Sequence, residues 1–167
     1  MIRHAHERDI AQIMDIVHSA QEALAELGID QWQDGYPTRE VIAEDIARGV
    51  GYVATGSNGA VEGYAAIILD GESAYAQLSD KEWHTPDRYV VTHRICVAAK
   101  SRRRGIAQEL LKYGEELALA NDIKAARIDT HRGNIRMLAL LRRLGFEQCG
   151  VIRYDSGERV AYDKNLV

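Results

Sequence analysis

The chain has 167 residues, 46% hydrophobic and 28% charged, which are the proportions of a globular protein able to bury one substantial core. Its 21 Lys and Arg against 25 Asp and Glu leave a formal charge of −4, so the bulk field repels nucleic acid and acidic membranes, and any anion site must be local. No apolar run reaches membrane-span length, and the opening MIRHAHERDI lacks an apolar signal region. Cys96 and Cys149 each sit in an apolar pattern, which reads as two free thiols of a reducing, cytoplasmic compartment.

Taken in chain order, Ile2 to Ala5 reads as a first strand. Ile10, Ile13, Met14, Val17, Ala20, Ala23, Leu24 and Leu27 then recur at helical spacing up to Gly28. The segment from Ile29 to Thr38, "IDQWQDGYPT", is a loop, and Thr38 opens a shorter helix ending at Gly49. Gly51 to Thr55 and Val61 to Leu69 read as strands joined by the turn "GSNG". Asp70 to Asp87 is irregular, with a helical turn expected around Ser79 to Trp83. Tyr89 to Val97, "YVVTHRICV", has the apolar, β-branched character of a central strand. Helices are expected from Ile106 to about Asn121 and from Ile135 to Leu144, the latter stopped by Gly145. Strands are expected from Ala126 to Thr130, Phe146 to Ile152 and Arg159 to Lys164. The sum is a single α/β domain over residues 1–167, an antiparallel meander followed by a partly parallel core.

Between the "YVVTHRICV" strand and the helix that follows lies "SRRRGIAQELL". Cations at a helix N-terminus oppose the macrodipole by about 0.3–1 kcal/mol each unless an anion joins them. Here Arg102, Arg103 and Arg104 supply forked donors, and Gly105 and Ala107 leave the first amides open to a phosphate. Two familiar phosphate loops are excluded. No Gly-Lys pair exists for a P-loop, and Gly49 to Ala54, which satisfies G-x-G-x-x-A, leads into a strand instead of a helix.

The order strand, Arg102-Arg103-Arg104-Gly105-Ile106-Ala107, helix, with "GNIRMLALLRRLGFEQCG" some thirty residues on, resembles the signature of the GNAT superfamily of acyl-CoA-dependent N-acetyltransferases. The resemblance implies a mixed, mostly antiparallel, twisted sheet of six to seven strands flanked by four helices. It implies acetyl-CoA as cosubstrate and no metal. The pantetheine arm is expected on the backbone of Ile95, Cys96 and Val97, and the pyrophosphate in Arg102 to Ala107, Ile106 included. Asn134 and Arg143 are expected to reach the cofactor from the next helix; Asn134 reads equally well as that helix's N-cap. The reaction implied is transfer of an acetyl group to a primary amine of a small molecule or peptide, by direct attack in a ternary complex. The Val97 amide is expected to steady the charge on the thioester oxygen.

An alkylamine is protonated at neutral pH and needs a base. His93 is the candidate, four residues before Val97 and expected on the strand face shared with Ile95 and Val97; a satisfied buried histidine is the other reading of it. Where the family often places a tyrosine acid, four residues before Gly-Phe, this chain has Leu141, so Tyr154 and Tyr36 are the candidate acids. That departure also favours an alternative, an acyl-CoA-binding sensor or partner-binding module without catalysis. Trp32, Asp34 and Tyr36 suit a cationic acceptor, by charge and cation–π contact, although Trp32 reads equally as core packing. Tyr75, Trp83 and His84 are expected to close the acceptor site from the other side. Asp129 to His131, "DTH", follows a strand and either orients substrate or ends that strand; Asp129 reads as structural and His131 stays open. His4 and His6 have metal-like spacing but no companions, so no metal is expected. A homodimer paired through the two C-terminal strands is possible on sequence.

Overall fold

In the computed structural model, which describes residues 1–167, the strands are β1 (Ile2–His4), β2 (Gly51–Thr55), β3 (Val61–Ile68), β4 (Val90–Val97), β5 (Ala125–Thr130), β6 (Glu147–Tyr154) and β7 (Gly157–Asn165). The helices are α1 (Ile10–Glu26), α2 (Arg39–Ala47), α3 (Ile106–Ala120) and α4 (Ile135–Arg143). All seven strands form one sheet in the order β1-β2-β3-β4-β5-β7-β6, and every pairing is antiparallel except β4 with β5. None of the helices is long and apolar enough to cross a membrane.

Local chemistry sets the helix limits. Ile10, Ile13, Ile16 and Val17 bury one stripe of α1, and Gly28 follows in a left-handed conformation. The Thr38 hydroxyl caps α2 by accepting from the Val41 amide at 3.3 Å, and Asn134 Oδ1 does the same for α4 from Met137 at 3.3 Å. The N-cap reading of Asn134 therefore holds. Helices α3 and α4 cover one face of the sheet through a core around Leu110, Leu141 and Phe146; α1 and α2 cover the other through Ile13, Ile42 and Tyr64. Gly63 lets α3 lie close, because a Cβ there would stand 2.8 Å from Ile106 Cγ2.

A third, smaller core around Tyr75, Val91 and Ile152 lies under the segment joining β3 to β4. The helical turn in that segment falls at Ser73–Gln77, earlier than the Ser79 to Trp83 expected, because the Glu72 carboxylate accepts from the Ala74 amide and caps it there. Ser79 instead exchanges two 3.0 Å backbone bonds with Val151 at the outer edge of β6. The two C-terminal strands pair with each other and close the sheet, and Ser79 covers part of the outer edge of β6. Asp163 fastens the same segment, accepting from the His84 amide at 2.6 Å and the Thr85 hydroxyl at 3.0 Å, with His84 Nδ1 at 2.9 Å.

Two irregularities in β4 shape the molecule. Its ladder with β3 shifts register between the pairs Tyr64↔Cys96 and Ala66↔His93, and Arg94 sits in the bulge with φ of 55°. The extra residue reverses the alternation. Thr92 touches the α3 side at Gly114, Ile95 and Val97 pack into the α3 core, and His93 lies on the opposite face beside Tyr75. The expectation that His93 shares a face with Ile95 and Val97 is thus overturned, since an uninterrupted strand would be required. Second, β4 and β5 pair only at Val90↔Ala126 and Val91↔Arg127, after which the two strands part.

Candidate active site

The parting of β4 and β5 opens a cleft of about 820 Å³ whose walls include Thr92 to Val97 on one side and Ile128 to Thr130 on the other. Ala107 at the start of α3, and Asn134, Met137 and Leu140 on α4, continue it at one end. Trp32, Asp34 and Tyr36, from the loop between α1 and α2, line the same cleft with His93 and Tyr154. Residues expected to serve the cosubstrate and residues expected to serve the acceptor thus share one continuous space.

At the cofactor end, Gly105 precedes α3 with φ of 81° and open space where a Cβ would stand. The amides from Gly105 to Gln108 have no acceptor within the protein. The Arg102 guanidinium lines the cleft and is steadied by Ser19, whose carbonyl and hydroxyl lie at 3.2 and 3.1 Å. Arg103 and Arg104 are exposed, Arg104 pairing with Glu62 at 3.1 Å, and the Ile106 side chain is buried in the core, leaving only its backbone to the loop. A coenzyme with a pyrophosphate fits this donor set: free amides, a glycine opening and three guanidinium groups within one turn. Arg143 is exposed on the last turn of α4 and lies outside the cleft wall, which ends at Leu140; the arginine of α4 that lines the cleft is Arg136.

At the other end, His93 Nε2 lies 3.0 Å from Glu72 Oε2. The bond to His93 comes first, and with the Ala74 amide it holds the Glu72 carboxyl down at about 2 despite burial. The ionised carboxylate favours the tautomer protonated at Nε2 and leaves Nδ1, which has no protein partner, as the basic nitrogen. Asp129 accepts from two phenols, Tyr75 at 2.8 Å and Tyr154 at 2.9 Å. Burial first, and the nearby Asp129 second, push both phenols well above their ordinary value, so both keep their protons. Tyr154 lines the cleft, whereas Tyr75 is 1% exposed and lies beneath it.

Tyr75 therefore does not contact an acceptor as expected; it supports Asp129 and lies against the His93 ring at 6.1 Å. Trp83 and His84 do not close the cleft either. Trp83 donates to the Tyr75 carbonyl and stacks 4.3 Å from the Arg127 guanidinium, and His84 is turned to Asp163. His131 accepts from the Gly133 amide and faces Asp30 at 3.3 Å, tying two loops together. Tyr36 Oη accepts from Arg94 at 2.9 Å, keeping its own proton free, and Asp45 grips Arg94 through two bonds of 2.6 and 2.8 Å. Asp129, read from sequence as orienting substrate or ending its strand and taken as structural, lines the cleft; Glu72, Arg94 and Asp45 were not singled out by sequence, where they are charged residues of irregular, strand and helical stretches.

The model of the Acetyltransferase (GNAT) family matches residues 16–146. The chain belongs to that family. It is 36% identical to a GNAT-family acetyltransferase from Streptococcus agalactiae, over 99% of this chain and 94% of that one, with a TM-score of 0.89. The same fold recurs in a ribosomal-protein-alanine N-acetyltransferase from Brucella melitensis, at 22% identity, 99% coverage of each chain and a TM-score of 0.71. It recurs also in a phosphinothricin acetyltransferase from Sinorhizobium meliloti in complex with AcCoA, at 18% identity, 99% and 88% coverage and a TM-score of 0.68. No protein of curated function matches the chain.

Proposed function

We propose that this protein transfers an acetyl group from acetyl-CoA to a primary amine by direct attack within a ternary complex. The observation that carries the reading is the continuity of the cleft, from the open amides of α3, past the parted strands, to the His93–Glu72 pair. In this reading the backbone of Ile95, Cys96 and Val97 holds the pantetheine arm. Arg102, Arg103 and Arg104, with the amides of Gly105, Ile106 and Ala107, hold the phosphates, and Asn134 and Arg136 border the arm from α4. Arg143, about two turns beyond Arg136, is left for the nucleotide end.

When bound, the cosubstrate supplies an activated acetyl group on a thiol whose pKa is near 8.5, a leaving group that departs without strong acid help. His93 takes the proton from the incoming ammonium through Nδ1, and Glu72 steadies the imidazolium that results. Trp32, Asp34 and Tyr36 receive the cationic acceptor. Tyr154 offers a phenol that stays protonated, with Tyr36 as the second candidate donor to the departing sulfur. Two free thiols accord with work in the cytoplasm.

Arg103→Glu and Arg104→Glu combined with Gly105→Trp should weaken acetyl-CoA binding at least 100-fold by calorimetry; unchanged affinity would remove the cofactor assignment. Leu141, fully buried where the family often has a tyrosine, favours the non-catalytic reading. Steady thiol release from acetyl-CoA with any member of an amine panel rules that reading out.

A further inference from the structure

Arg159 is a buried cation without a counter-ion. It lies on β7, is 6% exposed and lines the cleft. Its one hydrogen bond within the protein is from Nη1 to the carbonyl of its neighbour Glu158, at 3.0 Å. The other inward-turned arginines are provided for. Asp45 and Tyr36 take three N–H groups of Arg94. Arg127 bonds to Thr85 and Pro86 and is sandwiched between Trp83 and Tyr89 at 4.3 and 4.1 Å. The spare donors of Arg159 are not sealed in protein, where the orphaned side-chain atoms are Gln31 Oε1 and Ser101 Oγ; they open on the cleft. A desolvated guanidinium left so far unsatisfied costs stability unless a ligand anion completes it.

The charges around the cleft are sorted. Glu72 and Asp34 stand on the side that carries His93 and Arg94: Glu72 bonds to His93, and Asp34 accepts from the amide of Tyr36, whose hydroxyl accepts from Arg94. Arg159 stands on β7, across the gap and next to β5, whose one carboxylate in the cleft, Asp129, takes two phenols on Oδ2 and makes no ion pair with Arg159. We propose that the acceptor is an amine that also carries a carboxylate, its ammonium end received beside Glu72 and His93 and its carboxylate forked by Arg159. This rests on the acetyl transfer proposed above and adds the class of acceptor to it.

The test pairs each amino acid with its decarboxylated amine, for example phenylalanine with phenethylamine and leucine with isoamylamine, and follows thiol release from acetyl-CoA. A short peptide with a free or an amidated C-terminus separates a peptide source from a free amino acid. The carboxylate-bearing member should be favoured in kcat/KM by about 10- to 100-fold, the range of a charge-assisted bond. Arg159→Gln should bring that ratio near unity, and Arg159→Lys, which keeps the charge but not the fork, should retain part of it. Calorimetric titration of the same amino acids into protein saturated with CoA reads the subsite without turnover, and the binding should be lost in Arg159→Gln. Equal use of both members by the native protein, or a preference untouched in a folded Arg159→Gln variant, overturns the proposal. Failure to bind acetyl-CoA, or to release thiol with any amine, strikes instead at the acetyl transfer, since the binding arm reports on Arg159 regardless.

Discussion

Glu72 and His93 stand 21 residues apart in sequence and 3.0 Å apart in space, a carboxylate at the head of a short helical turn facing an imidazole beside the bulge in β4. Removing the imidazole should cost about 10²- to 10⁴-fold in kcat, the usual yield of a positioned base. His93→Ala should also lose the acidic limb of the wild-type pH–rate profile; a variant that keeps both rate and limb would remove His93 from the chemistry. Glu72→Gln should lower the rate less, with the acetyl-CoA affinity unmoved.

The same pair gives an acid-stability signature. Glu72 is held at about 2 from an ordinary 4.5, so its contribution is full above pH 4.5 and is lost as the pH falls toward 2. Urea unfolding across that window should show the native protein losing more stability than Glu72→Gln, which has no carboxyl to protonate. Parallel curves would mean that the bond contributes nothing net.

Arg94 takes a left-handed conformation in the bulge, and Asp45 of α2 holds it there through two bonds. Asp45→Asn leaves a largely buried cation short of its counter-ion and should cost about 3 kcal/mol in unfolding free energy. Because Arg94 also fixes Tyr36, the variant should raise the KM for the acceptor more than that for acetyl-CoA. Equal changes in both constants would detach Arg94 from the acceptor end.

Burial pushes both thiols, Cys96 and Cys149, up to about 12, so neither is a thiolate at neutral pH. Ellman's reagent should find no reactive thiol in the native protein over minutes and two in denaturant. A fast native reaction at either position would contradict its burial.

Saturating acetyl-CoA should raise the melting point. At 100 times Kd the linkage is worth about 2.7 kcal/mol, or roughly 5–10 °C for a chain of this length. Differential scanning fluorimetry with acetyl-CoA against acetate reads it, and superimposed curves would deny a specific site.

The cofactor end was legible because its information is local. Three arginines, a glycine and a helix lie in one run of chain, and helix-terminus physics needs nothing else. The acceptor end was opaque for the opposite reason. Glu72 lies in a stretch with no periodicity, and its partner is reached only through tertiary folding. The bulge carries no glycine or asparagine to announce it, so "YVVTHRICV" reads as uninterrupted strand and puts His93 on the wrong face. Tyr75 looked like a rim residue in an irregular segment, yet that segment packs against β4, β6 and β7 and takes the ring with it. Arg159 reads as the polar start of a strand; only its burial without a partner marks it.

With β4 and β5 joined in the ladder at Val90 and Val91 alone, the sheet divides into a run of four strands and a run of three, and α3 with the core it covers spans the divide. A molecule laid across that divide touches both runs of strands at once, and the core they share fixes the spacing it meets there.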